Sequence, residues 1–139
     1  YHTATHIMLA GLRKMFGPHT EQKGSNINEE RMRFDFNCDH KMTEEELKAL
    51  ENFVNDAIKA EIDVTCEELP YNKAIAEGAY GVFTPTSDDQ PVTVYTIGNV
   101  DKQICGGPHV KNTKELGHFR ILKEESSSSG VRRIKAVLE

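Results

Sequence analysis

Residues 43–60 read TEEELKALENFVNDAIKA, and the fold class can be worked out from this stretch. Thr43 with Glu46 three positions later is the sequence signature of a capping box at the start of a helix. The apolar residues that follow recur at helical spacing: Leu47, Leu50, Phe53, Val54, Ala57 and Ile58. The sequence therefore predicts an amphipathic helix over 43–60, with an apolar stripe that must pack against another layer.

The segments before this helix predict a strand and a second helix. Residues 31–37, RMRFDFN, alternate apolar and polar side chains, which is the period of a half-buried strand. Residues 7–16 carry apolar side chains at helical spacing and are followed by Gly17 and Pro18, which end helices. The polar stretch between them, 19–30, is predicted to be a loop.

The segments after this helix alternate between predicted strands, a short helix and turns. Strands are predicted at 62–66, 92–98, 118–124 and 131–138, a short helix at 71–79, and turns at 84–91 and 126–130. Two longer helices and about five strands in mixed order predict an α+β fold with a mixed, largely antiparallel sheet. A chain of 139 residues is expected to form one domain over 1–139.

Composition narrows the class of protein. The chain is 37% hydrophobic and 28% charged, as in globular proteins, and no apolar run reaches membrane-spanning length. Three widely spaced cysteines argue against a disulfide framework, so the expected location is the cytoplasm, without a membrane partner. The net charge of −5 counts against nucleic-acid binding overall. Basic residues cluster near the end of the chain, however, and leave room for a local phosphate-binding surface.

Two pairs of residues have the spacing of metal ligands. His2 and His6 are four residues apart, so a helix would stack both imidazoles on one face. Cys105 and His109 flank a Gly-Gly-Pro loop. Together they make a normal donor set for tetrahedral Zn²⁺, although each pair alone is common by chance and a lone cysteine is often a buried apolar residue. Residues 38–40, Cys-Asp-His, are interpreted as an ordinary strand-to-helix turn with a solvated histidine.

Five motifs occur in an order typical of one family. HTATH, QKGS, RMRFDF, CGGPHV and GVRRIKAV run from residue 2 to residue 138. In this set the chain resembles the editing domain shared by alanyl- and threonyl-tRNA synthetases, and is most similar to the free-standing alanyl-tRNA editing proteins. The resemblance implies the α+β fold of the synthetase second additional domain. It also implies one zinc ion bound by His2, His6, Cys105 and His109.

The resemblance also implies roles for individual residues. Gln22 in QKGS is expected in the catalytic pocket. Four protein ligands would close the coordination of a zinc ion, so Cys105 is expected, on chemical grounds, to be a weak or variable ligand that takes part in catalysis. Contacts with the substrate or tRNA are expected from residues in three of the motifs: Thr3, Thr5, Gln22, Lys23, Gly24, Ser25, Arg132 and Arg133. Thr3 and Thr5 fit ordinary helix-start residues equally well.

The implied activity is zinc-dependent hydrolysis of mischarged tRNA, with serine, or else glycine, removed from tRNA(Ala) in trans. The Pro108 of CGGPHV resembles the threonyl branch instead, so a seryl-tRNA(Thr) deacylase is an alternative. A catalytically silent, zinc-stabilised tRNA-binding module is another, because it would share the four ligands. A peptide-hydrolysing zinc enzyme is disfavoured, because HTATH lacks the glutamate of the H-E-x-x-H motif.

Overall fold

The structure is a computed structural model that describes residues 2–28, 30–81, 86–105 and 110–139, with the backbone alone at residue 2. Its helices are α1 (His2–Phe16), α2 (Glu44–Lys59) and α3 (Tyr71–Ala76). Its strands are β1 (Gln22–Ile27), β2 (Met32–Asn37), β3 (Val64–Pro70), β4 (Pro91–Ile97), β5 (Asp101–Ile104), β6 (Phe119–Ser128) and β7 (Val131–Leu138). One antiparallel sheet has the order β1-β2-β7-β6, and the other has the order β3-β4-β5.

The predicted α+β class is confirmed, with the strands divided between two sheets instead of one. The described strands pair only in antiparallel fashion. The two long helices are the predicted ones, and none of the helices in the described ranges is long and apolar enough to cross a membrane. The second sheet carries α3 and a small apolar cluster of its own, which includes Leu69, Ala74 and Val92.

The main core lies between the two long helices and the four-stranded sheet. Strand β2 buries Met32, Phe34 and Phe36 completely, which is the face that its alternating pattern predicts. The same cluster receives apolar side chains from α1, α2 and β7: Ile7, Met8, Leu12, Leu50, Val54, Ile134 and Ala136. Because α1 packs into this core along its length, the polar side chains on its other faces take up defined positions beside the sheets.

Helix α2 begins as its sequence predicts. The Thr43 hydroxyl accepts from the backbone N–H of Glu46 at 3.1 Å, and the Glu46 carboxylate accepts from the backbone N–H of Thr43 at 2.9 Å. Both bonds of a capping box are therefore present. Farther along the helix, the buried Asn55 side chain bonds both the N–H and the carbonyl of Phe119, which ties α2 to the start of β6.

The prediction of a loop over 19–30 is wrong for residues 22–27, which form β1. The strand pairs with β2 at the edge of its sheet. Its side chains are exposed or half-buried, so the sequence QKGSNI needs no apolar alternation. Backbone pairing with the strongly patterned β2 holds it in place, and this pairing leaves no signal in β1 itself.

Two other predicted boundaries need correction, and one strand is not predicted at all. The turn predicted at 126–130 contains only Ser129 and Gly130, because β6 runs to Ser128 and pairs there with Val131 in a tight hairpin. Strand β3 covers 64–70, beyond the predicted 62–66. Strand β5 was not predicted, because its buried positions, Asp101 and Gln103, are polar.

Candidate functional site

A cavity of about 250 Å³ opens between α1, the start of β1 and the end of β5. Residues from four separate parts of the chain line it: His6, Leu9, Arg13, Glu21, Gln22, Tyr80, Gly81, Gln103, Ile104 and Cys105. Its wall is partly apolar, with a small number of converging polar groups, as is typical of binding sites for small ligands.

Helix α1 presents three residues to the cavity from one face. His6, Leu9 and Arg13 follow a spacing of three and four residues, which places them above one another on a helix. His6 is buried, and its Nδ1 lies 3.6 Å from Oδ2 of Asp101. The guanidinium of Arg13 stacks on the Tyr80 ring, 3.8 Å from its centre.

A bulge at the start of β1 places Gln22 at the cavity. Gln22 pairs with Phe36 and Gly24 with Asp35, so Lys23 is an extra residue between two register positions. Such bulges bend a strand and redirect a side chain, and they are common beside functional sites. The Gln22 amide nitrogen donates to the Ser25 hydroxyl at 3.0 Å, which keeps the side chain close to its own strand.

A buried polar cluster backs the cavity on the side of β5. Asp101 accepts hydrogen bonds from the Tyr80 hydroxyl and from the Gln103 amide, the latter at 2.8 Å. The Gln103 amide also donates to the Tyr80 oxygen at 3.2 Å. Burial raises the pKa of Asp101 to about 7, although the hydrogen bonds from Tyr80 and Gln103 act in the opposite direction. The cluster fixes the position of the carboxylate that faces His6.

The two ends of segment 105–110 are anchored to different elements. The backbone N–H of Cys105 donates to the Thr93 carbonyl of β4 at 3.1 Å. The backbone N–H of Val110 donates to the Thr3 hydroxyl, in the first turn of α1, at 3.2 Å. The segment that carries the C-x-x-x-H motif therefore starts at the cavity and ends against the helix that carries H-x-x-x-H.

The structure brings together three of the residues predicted from distant motifs, because His6, Gln22 and Cys105 line the same cavity. His2 begins α1, but its side chain and the whole of His109 lie outside the described residues, so their role as ligands stays a prediction. Thr3 and Thr5 are buried in α1. Substrate contacts by these threonines also stay predictions.

The other predicted substrate-binding residues lie outside the set that lines this cavity. Lys23 forms an exposed ion pair with Glu21, and Gly24 follows it in β1. Arg132 and Arg133 lie on β7, where each makes a bidentate ion pair with a carboxylate. Their partners are Glu124 and Asp35, respectively. Contacts of these residues with tRNA remain predictions.

Arg13, Tyr80 and Gln103 line the cavity but are not predicted from the sequence. A signal for Arg13 was present, because it is seven positions after His6 and so shares its helix face. Asp101 and Gln103 alternate in a strand whose buried face is polar, which is an unusual pattern that marks a site. Tyr80 has no comparable local signal, because its place at the cavity depends on contacts with distant residues, among them a backbone bridge to Gln103.

The described part of the predicted metal site fits a zinc ion chemically. An imidazole and a thiol, which zinc binds readily, face one cavity from His6 and Cys105. A histidine that binds a metal through one ring nitrogen usually directs the other to a carboxylate. Nδ1 of His6 lies 3.6 Å from Oδ2 of Asp101, which is longer than a hydrogen bond, but the carboxylate is on the Nδ1 side of the ring, so Nε2 is the nitrogen suited to the metal.

Comparison with curated proteins gives relatives that cover this chain almost completely. An alanine–tRNA ligase of Treponema denticola is 53% identical over 139 residues, which are 100% of this chain and 23% of the relative. One from Borrelia hermsii is 50% identical over 137 residues, covering 99% of this chain and 23% of the relative. One from Pseudothermotoga lettingae is 45% identical over 136 residues, covering 98% and 16%, respectively. The chain thus spans less than a quarter of these relatives.

The family of the threonyl and alanyl tRNA synthetase second additional domain matches residues 92–135. The chain belongs to this family. The matched part of the second additional domain runs from β4 into β7 and contains Cys105, so one wall of the cavity lies within it. The family named from the sequence motifs is therefore confirmed.

Gly81 is expected to be intolerant of any side chain. A Cβ atom at this position would lie 2.6 Å from the Ile104 carbonyl oxygen, and both residues line the cavity. Because the obstacle is backbone, Gly81→Ala must displace the end of β5, at a cost of about 1–3 kcal/mol in the free energy of unfolding. Urea denaturation measures this cost.

The matched control is Gly24→Ala. Gly24, like Gly81, has no left-handed φ, but a Cβ added there would lie 3.5 Å from its nearest neighbour, Oδ2 of Asp35, so this variant adds a methyl group without the clash. If Gly81→Ala is as stable as the unmodified domain, the close approach of Gly81 to β5 does not hold in solution.

Proposed function

We propose that this domain hydrolyses the ester bond that joins a wrongly attached amino acid to the 3′ end of tRNA. The main proposed substrate is seryl-tRNA(Ala), with glycyl-tRNA(Ala) as a second substrate, and the domain acts on them in trans. The bond between the acyl carbon and the ribose oxygen breaks, water supplies the hydroxyl of the released amino acid, and the tRNA leaves with a free hydroxyl. The proposal rests on one observation. His6, Gln22 and Cys105, which come from distant motifs, line the same cavity.

The size of the cavity suits a small aminoacyl group. Its volume of about 250 Å³ lies below the range of about 300–1,000 Å³ that is usual for drug-sized ligands. Serine differs from alanine by one hydroxyl, and an apolar synthetase pocket rejects such an analogue poorly. A second, hydrolytic site then has to recognise the hydroxyl, and polar groups such as the amides of Gln22 and Gln103 line this cavity.

In this proposal Gln22 binds the amino acid and Arg13 binds the tRNA. The amide nitrogen of Gln22 is bonded to Ser25, so its amide oxygen is the atom that would accept a hydrogen bond from the seryl group. Arg13, stacked on Tyr80, holds a positive charge at the cavity that would attract the tRNA backbone. Both side chains are fixed by neighbours before substrate arrives, which lowers the cost of binding.

The proposed cofactor is Zn²⁺, held by His6 and Cys105 together with His2 and His109. Bound there, zinc would polarise the ester carbonyl or lower the pKa of a bound water molecule. The chain's own contribution is to orient His6 through Asp101, whose carboxylate lies 3.6 Å from Nδ1.

The choice of tRNA(Ala) over tRNA(Thr) is supported by the relatives. They are named alanine–tRNA ligases, and the similarity to the one from Treponema denticola covers the whole of this chain, including every residue that lines the cavity. A domain so similar to these proteins is expected to share the tRNA of the alanine system. Location in the cytoplasm is proposed with it, as the place where aminoacylated tRNA is used.

The experiment measures release of the amino acid by the zinc-loaded 139-residue chain from seryl-tRNA(Ala), glycyl-tRNA(Ala) and seryl-tRNA(Thr). Alanyl-tRNA(Ala) and threonyl-tRNA(Thr) are the correctly charged controls. The expected result is fast release from seryl-tRNA(Ala), slower release from glycyl-tRNA(Ala), and little from either control. The same protein treated with a chelator is expected to be inactive.

Two outcomes would favour the alternatives. Release from seryl-tRNA(Thr) alone would assign the threonyl tRNA. Binding of tRNA without release of serine, by protein that contains zinc, would identify a silent tRNA-binding module and overturn the proposed hydrolase.

A further inference from the structure

The turn between β2 and α2 brings a thiol, a carboxylate and an imidazole together. Sγ of Cys38 lies 3.8 Å from Nδ1 of His40, and Oδ1 of Asp39 lies 2.8 Å from the same nitrogen. All three ligand atoms fall within 4.8 Å of one another. Two ligands of a tetrahedral zinc ion are separated by about 3.5 Å, as follows from bond lengths near 2.0–2.3 Å. The thiol and the imidazole therefore already have nearly the required separation.

The imidazole of His40 is held in one orientation by its other nitrogen. Nε2 lies 3.2 Å from a carboxylate oxygen of Glu46, and that carboxylate is itself fixed by the capping box at the start of α2. The Phe16 ring packs edge-on against the imidazole, with ring centres 5.4 Å apart. A carboxylate behind one nitrogen is usual for a metal-binding histidine, and the other nitrogen, Nδ1, lies between the Asp39 carboxylate at 2.8 Å and the Cys38 thiol at 3.8 Å.

A second histidine faces the same turn across a cavity. Phe16, His19, Asn37, Cys38, Asp39 and Gly130 line this cavity, which has a volume of about 460 Å³. The loop that carries His19 is tied to the end of β2, because the Asn37 amide donates to the His19 carbonyl at 3.0 Å. His19 is thus held near Asp39, with space for an ion and for the movement of an exposed side chain.

We propose that His19, Cys38, Asp39 and His40 form a transition-metal site that takes Zn²⁺. One thiolate, two imidazoles and a carboxylate are all normal zinc ligands, and four of them complete a tetrahedral site. On binding, Cys38 gives up its thiol proton, and the metal replaces the proton shared between Nδ1 of His40 and Asp39. The site shares no residue with the cavity of His6 and Cys105.

The role of such a site would be structural. It would join the loop after α1 to the turn before α2, and so fasten the two long helices to the same end of the four-stranded sheet. Zinc binding is therefore expected to raise the stability of the domain even in a protein whose first site has been removed.

The test is a titration of the metal-free, reduced chain with Co²⁺, followed by displacement with Zn²⁺. Co²⁺ bound to a thiolate gives an intense near-ultraviolet charge-transfer band, so each site that contains cysteine reports separately. Cys105→Ser is expected to keep one equivalent with this band, and the double variant Cys38→Ser with Cys105→Ser is expected to lose it. Cys66→Ser is the matched control, because the exposed Cys66 belongs to neither site.

A second variant, His19→Ala, separates loss of the site from loss of the fold, because His19 is exposed. In the Cys105→Ser background it is expected to weaken Co²⁺ binding about 10- to 100-fold with an unchanged circular dichroism spectrum. The proposal is overturned if Cys105→Ser protein binds no Co²⁺, or if Cys38→Ser and His19→Ala leave its binding unchanged. The readout is metal binding, and Cys38→Ser leaves the residues of the His6 and Cys105 cavity unchanged. Failure of this proposal is therefore distinguishable from failure of the proposed deacylation.

Discussion

His6→Ala is expected to lower the rate of seryl-tRNA(Ala) hydrolysis by about a thousandfold. His6 is the buried imidazole that faces the cavity with its Nδ1 against Asp101. Removing it takes away a zinc ligand, and the polarisation that zinc supplies is worth several kcal/mol, which corresponds to roughly this factor in rate. Single-turnover deacylation, with the zinc content of each preparation measured in parallel, tests the expectation.

Two further variants give this measurement its control and its independent check. His118→Ala removes an exposed histidine that does not line the cavity and is expected to keep the wild-type rate. Cys105→Ser keeps the size of the side chain while weakening the ligand, so it is expected to lose activity with the fold unchanged. If the His6→Ala and Cys105→Ser proteins both hydrolyse seryl-tRNA(Ala) at the wild-type rate, the cavity is not the hydrolytic site.

Arg132→Ala is expected to lower the free energy of unfolding by about 3–5 kcal/mol. Its guanidinium makes two hydrogen bonds, of 2.8 and 2.7 Å, to the carboxylate of Glu124. The side chain of Glu124 is only 1% exposed, so the variant leaves a buried charge without its partner. Urea denaturation at neutral pH measures the loss.

Arg120→Ala is the matched control on the same sheet. Arg120 pairs with Glu139, and their side chains are 54% and 48% exposed, so breaking this pair is expected to cost less than about 1 kcal/mol. A loss for Arg132→Ala no larger than that for Arg120→Ala would contradict the buried pair. If Arg132→Ala instead weakened tRNA binding with stability unchanged, the residue would have the tRNA contact that its motif predicts.

The Arg132 pair also has a defined pH dependence. Burial raises the pKa of Glu124, but the hydrogen bonds from Arg132 and from the backbone of Met42 outweigh it and leave this pKa below its ordinary value. A carboxyl with a lowered pKa in the folded state stabilises the fold above its unfolded-state pKa. That contribution disappears as the pH falls through the folded-state pKa, so the cost of Arg132→Ala is expected to shrink in acid.

The elements that the sequence predicted well are those with strong local patterns. Helix α2 has both a capping box and an apolar stripe, and β2 alternates perfectly, so their burial follows from the side chains alone. Strand β1 has no such pattern, because at the edge of the sheet it contributes backbone hydrogen bonds more than buried surface. Its placement depends on pairing with β2, and the residues QKGSNI alone do not predict that pairing.

The residues of the candidate site also fall into two groups, those that the sequence predicts and those that it does not. His6, Gln22 and Cys105 were predicted, because residue chemistry and motif order identify them without coordinates. Tyr80 and Gln103 could not be, because they reach the cavity through pairing between distant segments. The basic residues near the C-terminus looked like a free positive surface, yet Arg132 and Arg133 are paired with carboxylates from β6 and β2. Charge in a sequence predicts a binding surface only where the fold leaves it unpaired.

The proposed function requires the cavity between α1, β1 and β5 to receive the aminoacyl end of tRNA. Its most direct test is an NMR titration of the zinc-loaded chain with a non-hydrolysable amide analogue of 3′-seryl adenosine. The expected result is saturable chemical-shift change at Leu9, Gln22 and Gln103, which all line the cavity. Changes confined to other surfaces, such as the turn at Cys38, would contradict the claim, as would no change at a concentration that inhibits deacylation.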